Sequence, residues 1–61
     1  MNQTTQNLLQ EIAQTGHAVI INSRTRDLHA ATDLISAGIC HRVNTFPDYF
    51  IIKFGRQPVT I

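Results

Sequence analysis

The sequence has no tryptophan and only one cysteine, Cys40, so no disulfide can close within the chain. A lone cysteine in a compact domain usually behaves as a small buried hydrophobe, and Cys40 is expected to do so, in keeping with a reducing compartment. Charge is scarce as well. Charged residues make up 15% of the 61, against about 25% in ordinary domains, and the formal net charge is +1. A balance so near zero creates no strong field toward nucleic acid or a membrane surface. No apolar run approaches the roughly 18 residues of a membrane span. Residues 1–6 carry neither the basic side chain nor the apolar stretch of a secretory signal, so the cytoplasm is the expected location. The three glycines form no G-x-G-x-x-G or G-x-x-x-x-G-K-[ST] phosphate loop, and no G-x-S-x-G occurs.

What is present is hydrophobic patterning. Hydrophobic residues make up 43% of the chain, which argues against disorder. Residues 1–61 read as a single small domain with a thin core. A chain of this size buries only about 60% of the surface its unfolded form exposes. Its core rarely supplies more than roughly 3–5 kcal/mol. With no disulfide or metal to reinforce it, self-association is a natural remedy.

Residues 1–3 are expected to fray, with Thr4 or Thr5 capping a first helix. Leu8, Leu9, Ile12 and Ala13 form its apolar stripe, and Gly16 stops it. Residues 17–22 read as a strand, with Val19, Ile20 and Ile21 apolar on both faces. A polar turn follows, in which Ser23 or Thr25 can cap a second helix and Asp27 suits the helix dipole. Leu28, Ala31, Leu34 and Ile35 recur at helical spacing. Gly38 then sits where φ > 0 would end the helix, with Ile39 folding back toward Leu34. His41, Val43 and Thr45 alternate with Cys40, Arg42 and Asn44 along a second strand, until Pro47-Asp48 turns the chain. In the third strand Phe50, Ile52 and Phe54 share one face, and Tyr49, Ile51 and Lys53 the other. Residues 55–58 read as a turn, and Val59, Thr60 and Ile61 as a tail or short edge strand.

The implied fold is a small α+β domain of order α-β-α-β-β. Short right-handed connections and the apolar third strand predict a three-stranded sheet of order 1-3-2, with Arg42 on an edge strand and both helices on one face. Its predicted core is Leu8, Leu9, Ile12, Ile20, Leu28, Ala31, Leu34, Ile35, Val43, Phe50, Ile52 and Phe54. The element order resembles a winged-helix domain with one helix missing. That resemblance covers element order alone, rests on no residue motif, and assigns no residue a role.

Reactive side chains do not converge. His17, His29, Cys40 and His41 lack the paired spacing of a zinc site, and neighbours such as Cys40 and His41 point to opposite faces of a strand. The carboxylates Glu11, Asp27, Asp33 and Asp48 share no local spacing. His29 and Asp33 can meet across one helical turn, which is the geometry of a solvated pair. No catalytic residue, metal, cofactor or small-molecule substrate is therefore expected.

Two surfaces remain. Two short helices can cover only one face of a three-stranded sheet, which leaves Val19, Ile21, Tyr49 and Ile51 as a candidate protein interface. That surface predicts a non-enzymatic interaction module that binds a larger protein or a second copy of itself. The alternative is a small DNA-binding accessory or regulatory protein. It would use Asn22, Arg24, Thr25 and Arg26 at the second helix, with Arg42, Lys53 and Arg56 around the hairpin, because arginine forks suit phosphate and base edges.

Overall fold

Asn2 starts the first helix. Its side-chain oxygen accepts from the backbone N–H of Thr5 at 2.9 Å and from the Thr5 hydroxyl at 2.9 Å. The computed structural model describes residues 2–56. Helix α1 runs Gln3–Thr15, so it begins earlier than a cap at Thr4 or Thr5 would allow. Asn2 and Gln3, expected to fray, are the cap and the first helical residue. The reason is chemical: asparagine caps at least as well as threonine, and Thr5 lies three residues on, where the capped N–H belongs. Thr5 is itself buried, with its hydroxyl satisfied by the same bond. Gly16 closes α1 in the left-handed region, donating its N–H to Ile12 at 2.7 Å.

Strand β1 is Ala18–Ile21, and helix α2 is Thr25–Ser36. Neither Ser23 nor Thr25 caps α2. The chain turns tightly after β1, with Arg24 N–H donating to Ile21 C=O at 2.9 Å, and this turn absorbs Asn22 and Ser23. Arg24 is left at the cap position without a side-chain bond, and Asp27 in the first turn is the only acidic complement to the dipole. The other end of α2 is closed more fully. Gly38 has φ 76°, Ile39 N–H reaches Leu34 C=O at 3.0 Å, and Gly38 N–H reaches Ile35 C=O at 3.0 Å. These are the two bonds of a Schellman stop.

Strands β2, Cys40–Thr45, and β3, Tyr49–Phe54, form a hairpin about Pro47-Asp48. The sheet order is β1-β3-β2, and β3 is antiparallel to both neighbours. Both helices pack on one face of this sheet. The buried core draws Leu8 and Ile12 from α1, Ala30, Ala31 and Leu34 from α2, and Ala18, Ile20, Cys40, Phe50 and Ile52 from the strands. Leu9, Leu28 and Ile35 pack around it. Among the described residues no helix is long and apolar enough to cross a membrane.

Two expected core residues lie outside the core. Val43 is 40% exposed because β2 bulges between Arg42 and Asn44, which leaves Val43 as the extra residue on an edge strand. Phe54 is 47% exposed although it has the parity of Phe50 and Ile52. The four residues of β1 stop pairing at Ile52, so among the described residues Phe54 has a strand, at Cys40, on one side only. The expected tail or edge strand at Val59, Thr60 and Ile61 lies outside the described residues.

Candidate protein-interaction surface

The register of the sheet decides which side chains share its uncovered face. Val19 lies opposite Ile51, and Ile21 opposite Tyr49, in adjacent pairs on β1 and β3. Ala18, Ile20, Phe50 and Ile52 alternate with them and turn toward the helices, where all four are buried. The four candidate contact residues therefore stand together on the side that no helix covers.

The hairpin extends this patch. Phe46 N–H donates to Tyr49 C=O at 2.8 Å, which places the two residues across from one another. Their rings stack with centroids 4.7 Å apart at 23°. Strand alternation from Arg42 puts the bulged Val43 on the same side. Val19 and Ile21 expose 40% and 36% of their surface, and Val43 and Phe46 expose 40% and 41%. Tyr49 and Ile51 are half-buried. An apolar surface this continuous is what protein contacts use. Phe46 was legible in the sequence. Counting back across the Pro47-Asp48 turn pairs it with Tyr49. Val43 was not, because nothing in residues 40–45 marks the bulge.

Polar groups lie at both ends of the face and at Asn44, which the bulge sets opposite Ile51. Lys53 and His41 form a cross-strand pair at one end, and the Pro47-Asp48 turn lies at the other. His41 Nδ1 lies 2.9 Å from the Gly55 carbonyl, which ties the ring to the end of β3. Asn22 secures the opposite end. Its N–H donates to Asp48 C=O at 2.9 Å, and its side-chain amide donates to Pro47 C=O at 3.3 Å.

Both edges of the sheet are blunted. On β1 the Glu11 carboxylate takes the outward N–H of Val19 at 3.3 Å, and Arg24 N–H takes the outward carbonyl of Ile21. On β2 the bulge interrupts the edge. These devices disfavour strand-by-strand addition. The face, by contrast, is covered by no helix or strand among the described residues.

The candidate nucleic-acid residues are divided among several places. Asn22, Arg24 and Thr25 are at the hairpin end of the molecule. Arg26 lines a cleft of about 420 Å³ with His29 and Asp33 of α2 and with Asn2, Gln3 and Thr4. Arg42 turns to the helix side, with its guanidinium 4.0 Å from the centroid of the Phe50 ring. A second cleft, by Gly38, brings Arg42 together with Arg56. Lys53 is on the opposite face of the sheet from Arg42.

The remaining reactive groups are held apart. Cys40 is 2% exposed, and burial pushes its thiol pKa above the ordinary value, which keeps it protonated. Among the described residues no three histidine, cysteine or carboxylate side chains gather in a group able to hold a metal ion. No protein-family model matches the chain, and neither a curated protein nor a solved structure is significantly similar to it.

Proposed function

We propose that this chain is a non-enzymatic interaction module of the cytoplasm that docks on a larger protein through the open face of its sheet. The observation that carries the reading is the register. Val19 with Ile51, Ile21 with Tyr49, and Phe46 stacked on Tyr49 make one apolar surface, bordered by Asn44 on β2 and by the His41–Lys53 pair at one end. Strands about 4.8 Å apart and up to six residues long, at about 3.3 Å each, give a face of at most roughly 14 by 20 Å, or ~280 Å² before side-chain relief. Standard interfaces bury about 800 Å² per partner. A partner that also grips the rim of the face would reach that size. The single buried thiol of Cys40, free of any disulfide, supports the proposed location.

The test is capture of the partner by the intact chain and by two variants. Ile51→Lys puts a charge in the middle of the face and should abolish capture. Arg56→Gln changes the other side and should leave it unchanged. A partner held equally well by Ile51→Lys would refute the reading.

A second reading rests on Arg42 and Arg56 lining one cleft, with no carboxylate among the described residues of its lining. In that reading the chain is a small DNA-binding accessory protein. Phosphate contacts make affinity fall steeply with salt. Duplex binding that weakens steeply with salt, and that Arg42→Gln and Arg56→Gln reduce, would favour it. Salt-independent partner binding would favour the sheet face.

A further inference from the structure

We propose that the cleft beside Gly38 is a binding site for a small phosphate monoester, with Arg42 and Arg56 holding the phosphate and Ile35 supporting the body of the ligand. The proposal takes up the cleft of the second reading but depends neither on duplex binding nor on docking through the sheet face. The cleft has a volume of about 470 Å³. Small-molecule sites run from roughly 300 to 1,000 Å³. Its apolar wall is the half-buried Ile35, Gly38 and the buried Cys40, and its polar groups are His41, Arg42 and Arg56.

The fold positions both arginines. Arg42 is held on the helix side of the sheet, with its guanidinium 4.0 Å from the centroid of the Phe50 ring. A guanidinium held over a ring keeps its N–H fork for a second partner. Arg56 is placed by the residue before it, which is tied at both backbone groups. Gly55 N–H donates to Ile39 C=O at 2.8 Å, and Gly55 C=O accepts from His41 Nδ1 at 2.9 Å. The Arg56 side chain then lies over Gly38, with Nε 3.2 Å and Nη2 3.6 Å from the point a Cβ would occupy. The space left by the missing side chain of Gly38 is the seat of the second guanidinium.

Charge selects the ligand. No carboxylate lies among the described residues of the lining, so the two arginines meet no opposite charge there. The C-terminal end of α2 offsets at most about half a charge, which leaves about +1.5. A phosphate monoester carries about −1.5 to −2 at neutral pH. A carboxylate brings a single charge and is filled by one arginine fork, whereas the three terminal oxygens of a phosphate can engage two. The cleft at Arg26 is a poorer match, because Asp33 stands in its lining. A nucleic-acid strand is a poorer match too. It presents a row of singly charged phosphates. The cations here come together only as this pair, with Lys53 on the opposite face and Arg24 and Arg26 elsewhere.

Nitrogen–proton NMR spectra of the full chain titrated with phenyl phosphate test this. Phenol, inorganic phosphate and a short DNA duplex are titrated in parallel. Phenyl phosphate should bind saturably, with the largest shifts at Gly38, Arg42, Gly55 and Arg56. Phenol should not bind, and inorganic phosphate should bind several-fold more weakly because it lacks the ring that rests on Ile35. Arg42→Gln and Arg56→Gln, each shown to be folded by circular dichroism, should weaken phenyl phosphate by about tenfold or more. Shifts centred on Gln3, Thr4, Arg26 and His29 would overturn the choice of cleft. Phenol binding as tightly as phenyl phosphate would overturn the phosphate as the recognised group, and inorganic phosphate doing so would overturn the role of Ile35. Absence of saturable binding at millimolar concentration would overturn the site. A duplex that shifts the same residues when phenyl phosphate does not would overturn the small ligand and leave the cleft to the second reading. Docking through the sheet face is decided separately, on partner capture by Ile51→Lys.

Discussion

Replacing Gly38 by alanine should destabilise the domain by about 1 kcal/mol, and the reason is conformational. Gly38 sits at φ 76° between the two bonds that close α2. An L-residue in that region costs roughly 1–2 kcal/mol. Alanine also narrows the unfolded ensemble, which returns about 0.4–1 kcal/mol. A Cβ at Gly38 would stand 3.2 Å from Arg56 Nε, inside ordinary contact distance. The obstacle is the far end of a flexible side chain, so Arg56 can swing aside at small cost. Gly16 supplies the control. It has φ 90° at the end of α1, and an added Cβ there meets nothing within 4 Å. Gly16→Ala thus reports the backbone cost alone, and any excess in Gly38→Ala reports the Arg56 contact. That excess should vanish in an Arg56→Ala background. With no tryptophan present, urea denaturation is best followed by far-ultraviolet circular dichroism. For a domain of this size, 1 kcal/mol lowers Tm by about 4–8 °C. A Gly38→Ala protein that melts at or above the wild-type temperature would refute the assignment of a left-handed stop.

Leu34→Ala should cost about 2–5 kcal/mol, enough to unfold most of the population, because Leu34 is buried in the core beneath α2 and a cavity would remain; an unchanged melting curve would remove it from the core. Asn2→Ala should cost about 1 kcal/mol by orphaning the Thr5 N–H and hydroxyl, whereas Asn2→Asp should cost little; equal losses in the two variants would deny the cap. Burial raises the Cys40 pKa above 9.0, so the folded state holds that proton more tightly than the unfolded state does. The contribution is constant below about pH 9 and is lost as pH rises through the folded-state value. Urea midpoints above pH 9 should therefore fall more steeply for wild type than for Cys40→Ala, and the native thiol should react slowly with alkylating agents at neutral pH.

Most of the architecture was legible in periodicity. The 3.6-residue spacing of Leu8 and Ile12, and of Ala31 and Leu34, placed both helices on the core. The β-branched run at Val19, Ile20 and Ile21 and the aromatic run at Tyr49 and Phe50 supplied strands whose parity predicted the open face. Glycine stops at Gly16 and Gly38 marked the helix ends. Helix starts were harder to read, because several residues can cap and the choice depends on where the preceding turn closes. A turn from Ile21 to Arg24 displaced Ser23 from that role. Ala18 and Ala30 were missed as core because small side chains leave a weak hydrophobic signal, although they permit close approach of the layers. Val43 and Phe54 were misplaced because a bulge and a short neighbouring strand are tertiary features with no local signature. Phe46 was overlooked in the expected contact patch because it immediately precedes the turn proline.

The strand order has a consequence for synthesis. The central strand of the sheet is β3, and it leaves the ribosome after both of its neighbours. Neither β1 nor β2 has a sheet partner until residues 49–54 emerge, so no stretch of sheet can form while they are being made. During that interval α1 and α2 can form from local contacts, while Val19, Ile20 and Ile21 remain an unpaired apolar segment of the kind that recruits other nascent chains. Glu11, which binds the outward edge of β1 in the finished fold, precedes that segment in the chain and is available to guard it from the moment it is made.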